Sequence, residues 1–148
     1  GLERGACVIF RPGAIADISQ AMSAITLMVE GTAFAPPVES KLRWAIENWY
    51  TEGAWDGDVL AGFMVGNISE TFLNHERNAY EKGVFVLPAY RGGTTAVRLI
   101  RNFEAWAKSN GAANIWLGQS VGQNMQATLH FFERLGYQCQ GFTTCKKL

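Results

Sequence analysis

The most informative residues for chemistry lie where a predicted strand gives way to a predicted helix. Residues 84–87 are four consecutive apolar residues, a run typical of a buried strand, and Pro88 would end that strand because it cannot donate to a ladder. Arg91, Gly92 and Gly93 follow and predict a turn with little side-chain bulk. The order is therefore buried strand, glycine turn and then helix.

This order of elements is suited to binding an anion. The first turn of a helix carries N–H groups without partners inside the helix, at the positive end of its dipole. Glycines would let a phosphate approach the backbone, and Arg91 could add a charge-assisted hydrogen bond. The alternative is that Gly92 and Gly93 form only a tight loop and that Arg91 is solvated. The residues alone leave both interpretations open.

The segment resembles the acyl-CoA signature of the GNAT N-acetyltransferase superfamily, Q/R-x-x-G-x-G/A, which opens on Arg or Gln after a strand. Arg91 and Ala96 match the first and last positions of the signature. Thr94 stands where the signature has its middle glycine, a departure that bears on the affinity for CoA.

A second segment is similar to the other GNAT signature, N-x-x-A followed by an aromatic run. Here Asn124 and Ala127 precede Phe131 and Phe132, and Gly136 closes the segment. Two motifs in the expected order are stronger than either motif alone.

The resemblance implies a fold and a cosubstrate. The expected fold class is α/β (α+β), with a mixed, mostly antiparallel twisted sheet of about six strands. Helices would cover both faces, and a splayed parallel pair of strands would lie in the middle. Acetyl-CoA would be the cosubstrate, with no metal. The residues expected to bind it are Val86, Leu87, Arg91, Gly92, Gly93, Thr94, Thr95, Ala96, Asn124 and Phe131.

Catalytic roles are expected on three side chains. Glu81 lies on the central strand, where several family members carry a base, although an exposed strand carboxylate explains it equally well. Phe132 stands where the family usually has a tyrosine that reprotonates the thiolate, so Ser120 or Tyr90 would have to replace that donor. The backbone N–H of Leu87 or Val86 is the expected oxyanion donor.

Periodicity predicts the remaining elements. Helical spacing marks residues 15–29, 38–49, 96–110 and 124–135, and strands are expected at 6–10, 59–69, 79–87, 114–119 and 137–148. Trp44, Trp49, Tyr50 and Trp55 cluster near the second helix, either as core aromatics or as walls of an acceptor pocket.

Composition narrows the class of protein. The 148 residues are 48% hydrophobic and 18% charged, which predicts one domain over residues 1–148. No apolar run reaches the roughly 20 residues of a membrane span, and no signal peptide is visible. The three cysteines fit neither a disulfide framework nor a zinc site, so a cytoplasmic location is expected.

The charge is neutral overall but unevenly divided. Residues 1–81 hold 11 acidic and 5 basic residues, whereas residues 82–148 hold 2 acidic and 8 basic ones. The functional interpretation is a basic half for a polyanionic cosubstrate and an acidic half for a cationic acceptor, and the alternative is a chance difference between solvated faces. Neither a membrane nor a nucleic-acid partner is indicated, and a homodimer is a possible assembly.

These features predict an N-acetyltransferase that transfers an acetyl group directly from acetyl-CoA to a primary amine of a small molecule or peptide. The alternative is a GNAT-fold binding or regulatory module with weak or no catalysis that still holds CoA. Phe132 and Thr94 are the residues that favour the alternative.

Overall fold

A computed structural model of the protein describes residues 7–118 and 124–148. The strands are β1 (Ile9–Pro12), β2 (Tyr50–Asp56), β3 (Val59–Glu70), β4 (Arg77–Val86) and β5 (Asn114–Trp116). The helices are α1 (Ile18–Val29), α2 (Glu39–Asn48), α3 (Thr95–Ser109) and α4 (Met125–Arg134). Short 3₁₀ turns at Ile15–Asp17 and Pro88–Tyr90 precede α1 and follow β4.

The five strands form one sheet in the order β1-β2-β3-β4-β5. The first four pair antiparallel, and β5 pairs parallel with β4 after the α3 crossover. A mixed, mostly antiparallel sheet with a parallel pair is thus confirmed. Within the described residues, however, the sheet has five strands rather than about six, and the parallel pair lies at its edge rather than in its middle.

The missing strand is the one predicted at residues 137–148. This segment has no regular secondary structure, and nearly all of it is exposed, with Phe142 92% accessible. Alternating residue types indicate which side chains would point to each face of a strand. A strand also needs an adjacent strand that pairs with its backbone N–H and C=O groups. The periodicity of the tail could not show whether such a neighbour exists.

Two other strands differ from expectation. The first strand occupies Ile9–Pro12 rather than residues 6–10, so that Pro12 is its last residue. Strand β2 was not predicted, because its aromatic residues follow directly on those of α2 and were grouped with that helix. The Asp56–Gly57 turn joins β2 to β3, with Gly57 at a φ of 57°.

Helices cover both faces of the sheet, as predicted. Helices α1 and α2 pack on one face, over a cluster that includes Phe63 and Phe85. Helix α3 packs on the other face, over a cluster that includes Met64 and Val86. Since neighbouring residues of a strand point to opposite faces, Phe63 and Met64 of β3 fall in different clusters.

Helix α3 is the best-buried helix. Leu99, Ile100, Phe103 and Ala107 are at most 1% exposed and recur at the spacing of one helical face. Burying each of the three larger side chains contributes about 1.5–3 kcal/mol. The helix ends beside Gly111, whose φ of 81° suits the left-handed conformation that follows many helices.

A β-bulge interrupts the pairing of β3 with β4. Val65 pairs with Gly83, whereas Gly66 pairs with Glu81, so Lys82 is the extra residue of β4. The ring of Phe103 packs directly against Gly66, leaving no room there for a side chain. The bulge therefore lies under α3 and depends on a glycine.

We expect Gly66→Ala to destabilise the protein by about 1–3 kcal/mol, the usual cost of overpacking. The new methyl group would collide with the Phe103 ring and lie 3.0 Å from the carbonyl oxygen of Tyr80. Urea denaturation monitored by circular dichroism measures the difference in the free energy of unfolding.

Gly83→Ala is the matched control, because a Cβ at Gly83 would meet no atom within 4 Å. It should change stability by less than about 0.5 kcal/mol. Equal losses in the two variants would contradict the packing that we describe at Gly66.

Candidate active site

The parallel strands β4 and β5 pair over only three residues of the described chain. Asn78, Ala79 and Tyr80 face residues 114–116, and β5 then ends at Trp116 while β4 continues to Val86. Six residues of β4 therefore lie beyond the last β5 pair of the described chain. The second half of β4 thus has an edge without β5 pairs in the described chain, and we call this edge the gap.

Glu81 is the first residue of β4 beyond that pairing, and it lies at the bulge. Its side chain is half-buried, and its carboxylate accepts a hydrogen bond from the backbone N–H of Gly118, two residues after β5. Burial raises the pKa of Glu81 to about 7, although the Gly118 hydrogen bond and the nearby charge of Lys82 oppose the rise. A carboxyl with this pKa is suited to accepting a proton near neutral pH.

The backbone at the end of β4 distinguishes the two predicted oxyanion donors. The N–H of Leu87 donates to the carbonyl oxygen of Ala61 on the β3 side, at 2.8 Å. Since residues of an antiparallel strand alternate in the edge that they address, the N–H and C=O of Val86 point to the open side. Arg91 Nε donates to the Val86 carbonyl oxygen at 3.0 Å, in agreement with that direction. The Leu87 N–H is thus engaged with β3, and Val86 is the better placed donor.

The glycine turn presents the first turn of α3 to solvent. Residues 91–94 are exposed, and Gly92 has a φ of 82°, which few other residues adopt readily. The side chain of Thr94, at the N-cap of α3, makes no capping hydrogen bond. Thr95 is buried and holds the turn to the sheet. Backbone N–H groups at this end of α3 are therefore accessible to an anion.

Tyr90, one of the two predicted proton donors, is not brought together with Glu81. The Tyr90 hydroxyl donates to Asp56 Oδ2 at 2.6 Å, which holds it at the β2–β3 turn, on the far side of β4 from β5. This position does not support a role for Tyr90 in protonating a thiolate in the gap. Ser120 lies outside the described residues.

The second motif forms the start and middle of α4. Asn124 precedes the helix as expected, but with a left-handed φ of 44° and without a side-chain capping hydrogen bond. The rings of Phe131 and Phe132 are half-buried, with centroids 5.9 Å apart. After the helix, the Tyr137 hydroxyl donates to Glu104 Oε1 of α3 at 2.8 Å, so α4 is tethered to α3 through Tyr137.

One polar cluster was missed by the sequence analysis. Asn102 Nδ2 donates to Glu52 Oε1 at 2.9 Å, and the Tyr50 hydroxyl also bonds to Glu52. Burial raises the pKa of Glu52, and burial together with the adjacent carboxylate raises that of Tyr50. The cluster joins β2 to α3, and no local pattern indicated it, since Glu52 and Asn102 are 50 residues apart.

Two searches of the described residues gave negative results. None of their helices has both the length and the apolar character to cross a bilayer. In the same part of the chain, no three His, Cys, Asp or Glu side chains are grouped so that they could hold a metal ion.

The family model described as "Acetyltransferase (GNAT) family" matches residues 23–137. The chain therefore belongs to the GNAT acetyltransferase family, as the two motifs predicted, and is an acyltransferase of the N-acetyltransferase class. A search of curated protein sequences finds no match.

Solved structures share the fold over nearly the whole chain. The aminoglycoside N-acetyltransferase AAC(6')-Iy in complex with CoA has a TM-score of 0.81 at 15% identity, covering 100% of this chain and 99% of its own. A Trypanosoma brucei acetyltransferase has a TM-score of 0.76 at 19% identity, covering 95% and 99%. An aminoglycoside acetyltransferase from an uncultured soil metagenomic sample, in complex with trehalose, has a TM-score of 0.76 at 15% identity, covering 95% and 96%.

We expect Glu81→Gln to stabilise the protein above pH 7 and to have little effect at pH 4. The folded state raises the Glu81 pKa from 4.5 to about 7, so the native protein loses stability relative to the variant as pH rises through that window. The difference should reach about 1–3 kcal/mol, because partial exposure reduces the full effect of the shift. Urea denaturation at pH 4, 6 and 8 measures it.

Glu47→Gln removes an exposed carboxylate of α2 and serves as the control, with no such pH-dependent gain expected. A stability difference between wild type and Glu81→Gln that stays constant from pH 4 to pH 8 would show that Glu81 is not held in a desolvated position.

Proposed function

We propose that the protein transfers an acetyl group from acetyl-CoA directly to a primary amine of a small molecule or peptide. The observation that carries this proposal is the position of Glu81. A half-buried carboxyl with a raised pKa lies where β4 parts from β5, and the Gly118 N–H fixes its orientation. Family membership supports acetyl transfer, and the geometry supports a base in the gap.

The exposed turn before α3 is the proposed site for the pyrophosphate of acetyl-CoA. The residues fit a phosphate group, because the N–H groups of the first turn of α3 have no partner inside the helix and follow two exposed glycines that leave the backbone uncovered. Arg91 would contribute positive charge, although its Nε is already bonded to the Val86 carbonyl. Val86 and Leu87 would flank the thioester arm, and Asn124 and Phe131 of the second motif would contact it from the α4 side.

In the proposed reaction, Glu81 accepts a proton from the incoming ammonium group, directly or through a water molecule. The neutral amine then attacks the thioester carbonyl, whose oxygen gains negative charge opposite the Val86 N–H. The C–N bond forms as the C–S bond breaks, the sulfur leaves as a thiolate, and the attacking nitrogen loses its second proton to the thiolate or to solvent. Because a thiolate is a fair leaving group, deprotonation and positioning of the amine are the principal tasks of the protein.

The acceptor is proposed to be cationic before it reacts. Glu39 and Glu47 are exposed on α2, and Glu30 is exposed just after α1. Trp44 and Trp49 pack edge to face beside them, with ring centroids 5.2 Å apart. This combination of acidic and aromatic surface attracts an amine-bearing molecule. Two of the similar structures are named aminoglycoside acetyltransferases, and aminoglycosides belong to the same chemical class of acceptor.

A binding or regulatory module with weak catalysis is the second candidate, favoured by Phe132 in place of the usual tyrosine. Release of free thiol from acetyl-CoA with a panel of primary amines separates the two candidates. The proposed enzyme releases thiol only when an amine is present.

The three cysteines, all free, are compatible with the cytoplasmic location that we propose.

The pH profile of kcat/KM tests the role of Glu81. We expect the value to rise with pH to a plateau above about pH 7, as the carboxyl ionises. Glu81→Gln should lower the plateau about 10²–10⁴-fold and remove this inflection. The thiol-release assay measures both effects, with Asp58→Asn, at an exposed carboxylate of the β2–β3 turn, as the control. An unchanged inflection in Glu81→Gln would assign the base to another group.

Calorimetry tests the proposed cosubstrate site. Arg91→Ala should weaken acetyl-CoA binding about tenfold, as expected when a charge-assisted contact and the tie to Val86 are both lost. Phe132→Ala should have a smaller effect. No binding to the wild-type protein at millimolar acetyl-CoA would exclude the proposed reaction, and an unchanged dissociation constant for Arg91→Ala would exclude that residue.

A further inference from the structure

A second cleft lies at the end of α3 that is remote from the glycine turn. It has a volume of about 310 Å³ and forms where α2 and α3 end and β2 begins. Helix α3 has 15 residues and is about 22 Å long, so the cleft and the proposed pyrophosphate site are well separated. The volume is at the lower end of the range of roughly 300–1,000 Å³ that is usual for ligand pockets.

The cleft has aromatic walls that are held in place by packing. Trp49, Tyr50 and Trp106 line it. The Tyr50 and Trp106 rings lie 4.8 Å apart, and Phe103 stacks on Trp106 at 5.7 Å with an angle of 19°. These contacts fix the Trp106 ring from inside the protein, so the cleft presents flat apolar surface that is already formed.

Amide oxygens provide hydrogen-bond acceptors in the same cleft. Asn48 Nδ2 donates to the Trp44 carbonyl oxygen and Asn110 Nδ2 to the Trp106 carbonyl oxygen, each at 2.8 Å. Each side chain keeps its Oδ1 as an acceptor. Asn67 also lines the cleft, and its Oδ1 is buried with no hydrogen-bond partner among the described residues. The Asn67 side chain would have to turn for its Oδ1 to reach a ligand in the cleft, and a donor supplied there would remove the cost of the unpaired acceptor.

The charged group of the cleft is Arg77. One of its Nη atoms donates to the Asn110 carbonyl oxygen at 3.0 Å, which leaves other N–H groups of the guanidinium as donors. This positive charge disfavours a cationic ligand, and none of the described residues that line the cleft is a carboxylate that could compensate for it. Acceptors from the amides and donors from Arg77 together suit a neutral ligand that can both donate and accept.

We propose that this cleft binds a single neutral sugar ring. The C–H faces of such a ring match flat aromatic walls, and its hydroxyl groups can donate to the amide oxygens and accept from Arg77. The small volume limits the ligand to about one ring. The cleft shares Trp49 with the proposed acceptor surface, but Glu81 and the Arg91 turn do not line it, and binding of a sugar there does not require acetyl transfer.

Nuclear magnetic resonance titration of the full chain tests this proposal. ¹⁵N-labelled protein is titrated with glucose, galactose, mannose and N-acetylglucosamine, each to 100 mM. At least one sugar should cause saturable shifts of the Trp106 indole N–H and of the Asn67 or Asn110 side-chain amides. No saturable shift with any of the four sugars, or shifts confined to the Arg91 turn and Glu81, would overturn the proposal.

Two variants make the test specific. Arg77→Met and Asn67→Leu should each weaken the binding of the responding sugar about tenfold or more. Arg43→Met, at an exposed arginine of α2 that pairs with Glu39, should leave it unchanged. Far-ultraviolet circular dichroism and urea denaturation of the same variants, with unchanged spectra expected, report whether each is folded. Undiminished sugar affinity in both cleft variants would place the sugar elsewhere and overturn the assignment.

Discussion

The architecture of the active site depends on one constraint, the separation of β4 from β5 after three residue pairs. The bulge at Lys82 lies just where that separation begins, and it increases the local twist of β4. Phe103 of α3 packs into the space that Gly66 leaves open, so the helix above the sheet and the bend within it are coupled. A strand without this bend could continue alongside its parallel neighbour and close the gap.

The separation of the two strands also determines the electrostatics of the site. Where strands remain paired, backbone N–H and C=O groups satisfy one another. Beyond Tyr80, Glu81 instead accepts from Gly118, and Val86 directs its backbone groups to the open side, where Arg91 reaches its carbonyl. A half-buried carboxyl and an outward-facing N–H thus occur on the same strand, a few residues apart. Arg91 links the strand to the turn before α3 and so connects the two ends of the proposed cosubstrate site.

Much of the fold follows from local patterns in the sequence. Apolar residues at helical spacing predicted the helices, and the apolar run at residues 84–87 predicted the central strand. The motifs around Arg91 and Asn124 predicted the family. Strand β2 was missed because its aromatic residues follow those of α2 without a change in composition. The prediction of a strand from residue 137 was wrong. Periodicity along the tail carries no information about whether a neighbouring strand is available to pair with it. The bulge was missed because an extra residue can be recognised only when the pairing of two strands is known.

The sequence by itself determined the family, the course of the chain through α3 and the presence of a carboxyl on the central strand, because each is encoded in a contiguous segment. It left open whether Glu81 was solvated or buried, and which of Val86 and Leu87 directed its N–H away from β3. The tertiary structure decided these points, since Glu81 meets Gly118 and Leu87 meets Ala61 only after folding. The surroundings of a carboxyl group or of a peptide N–H depend on residues that are distant along the chain, so no local sequence pattern predicts them.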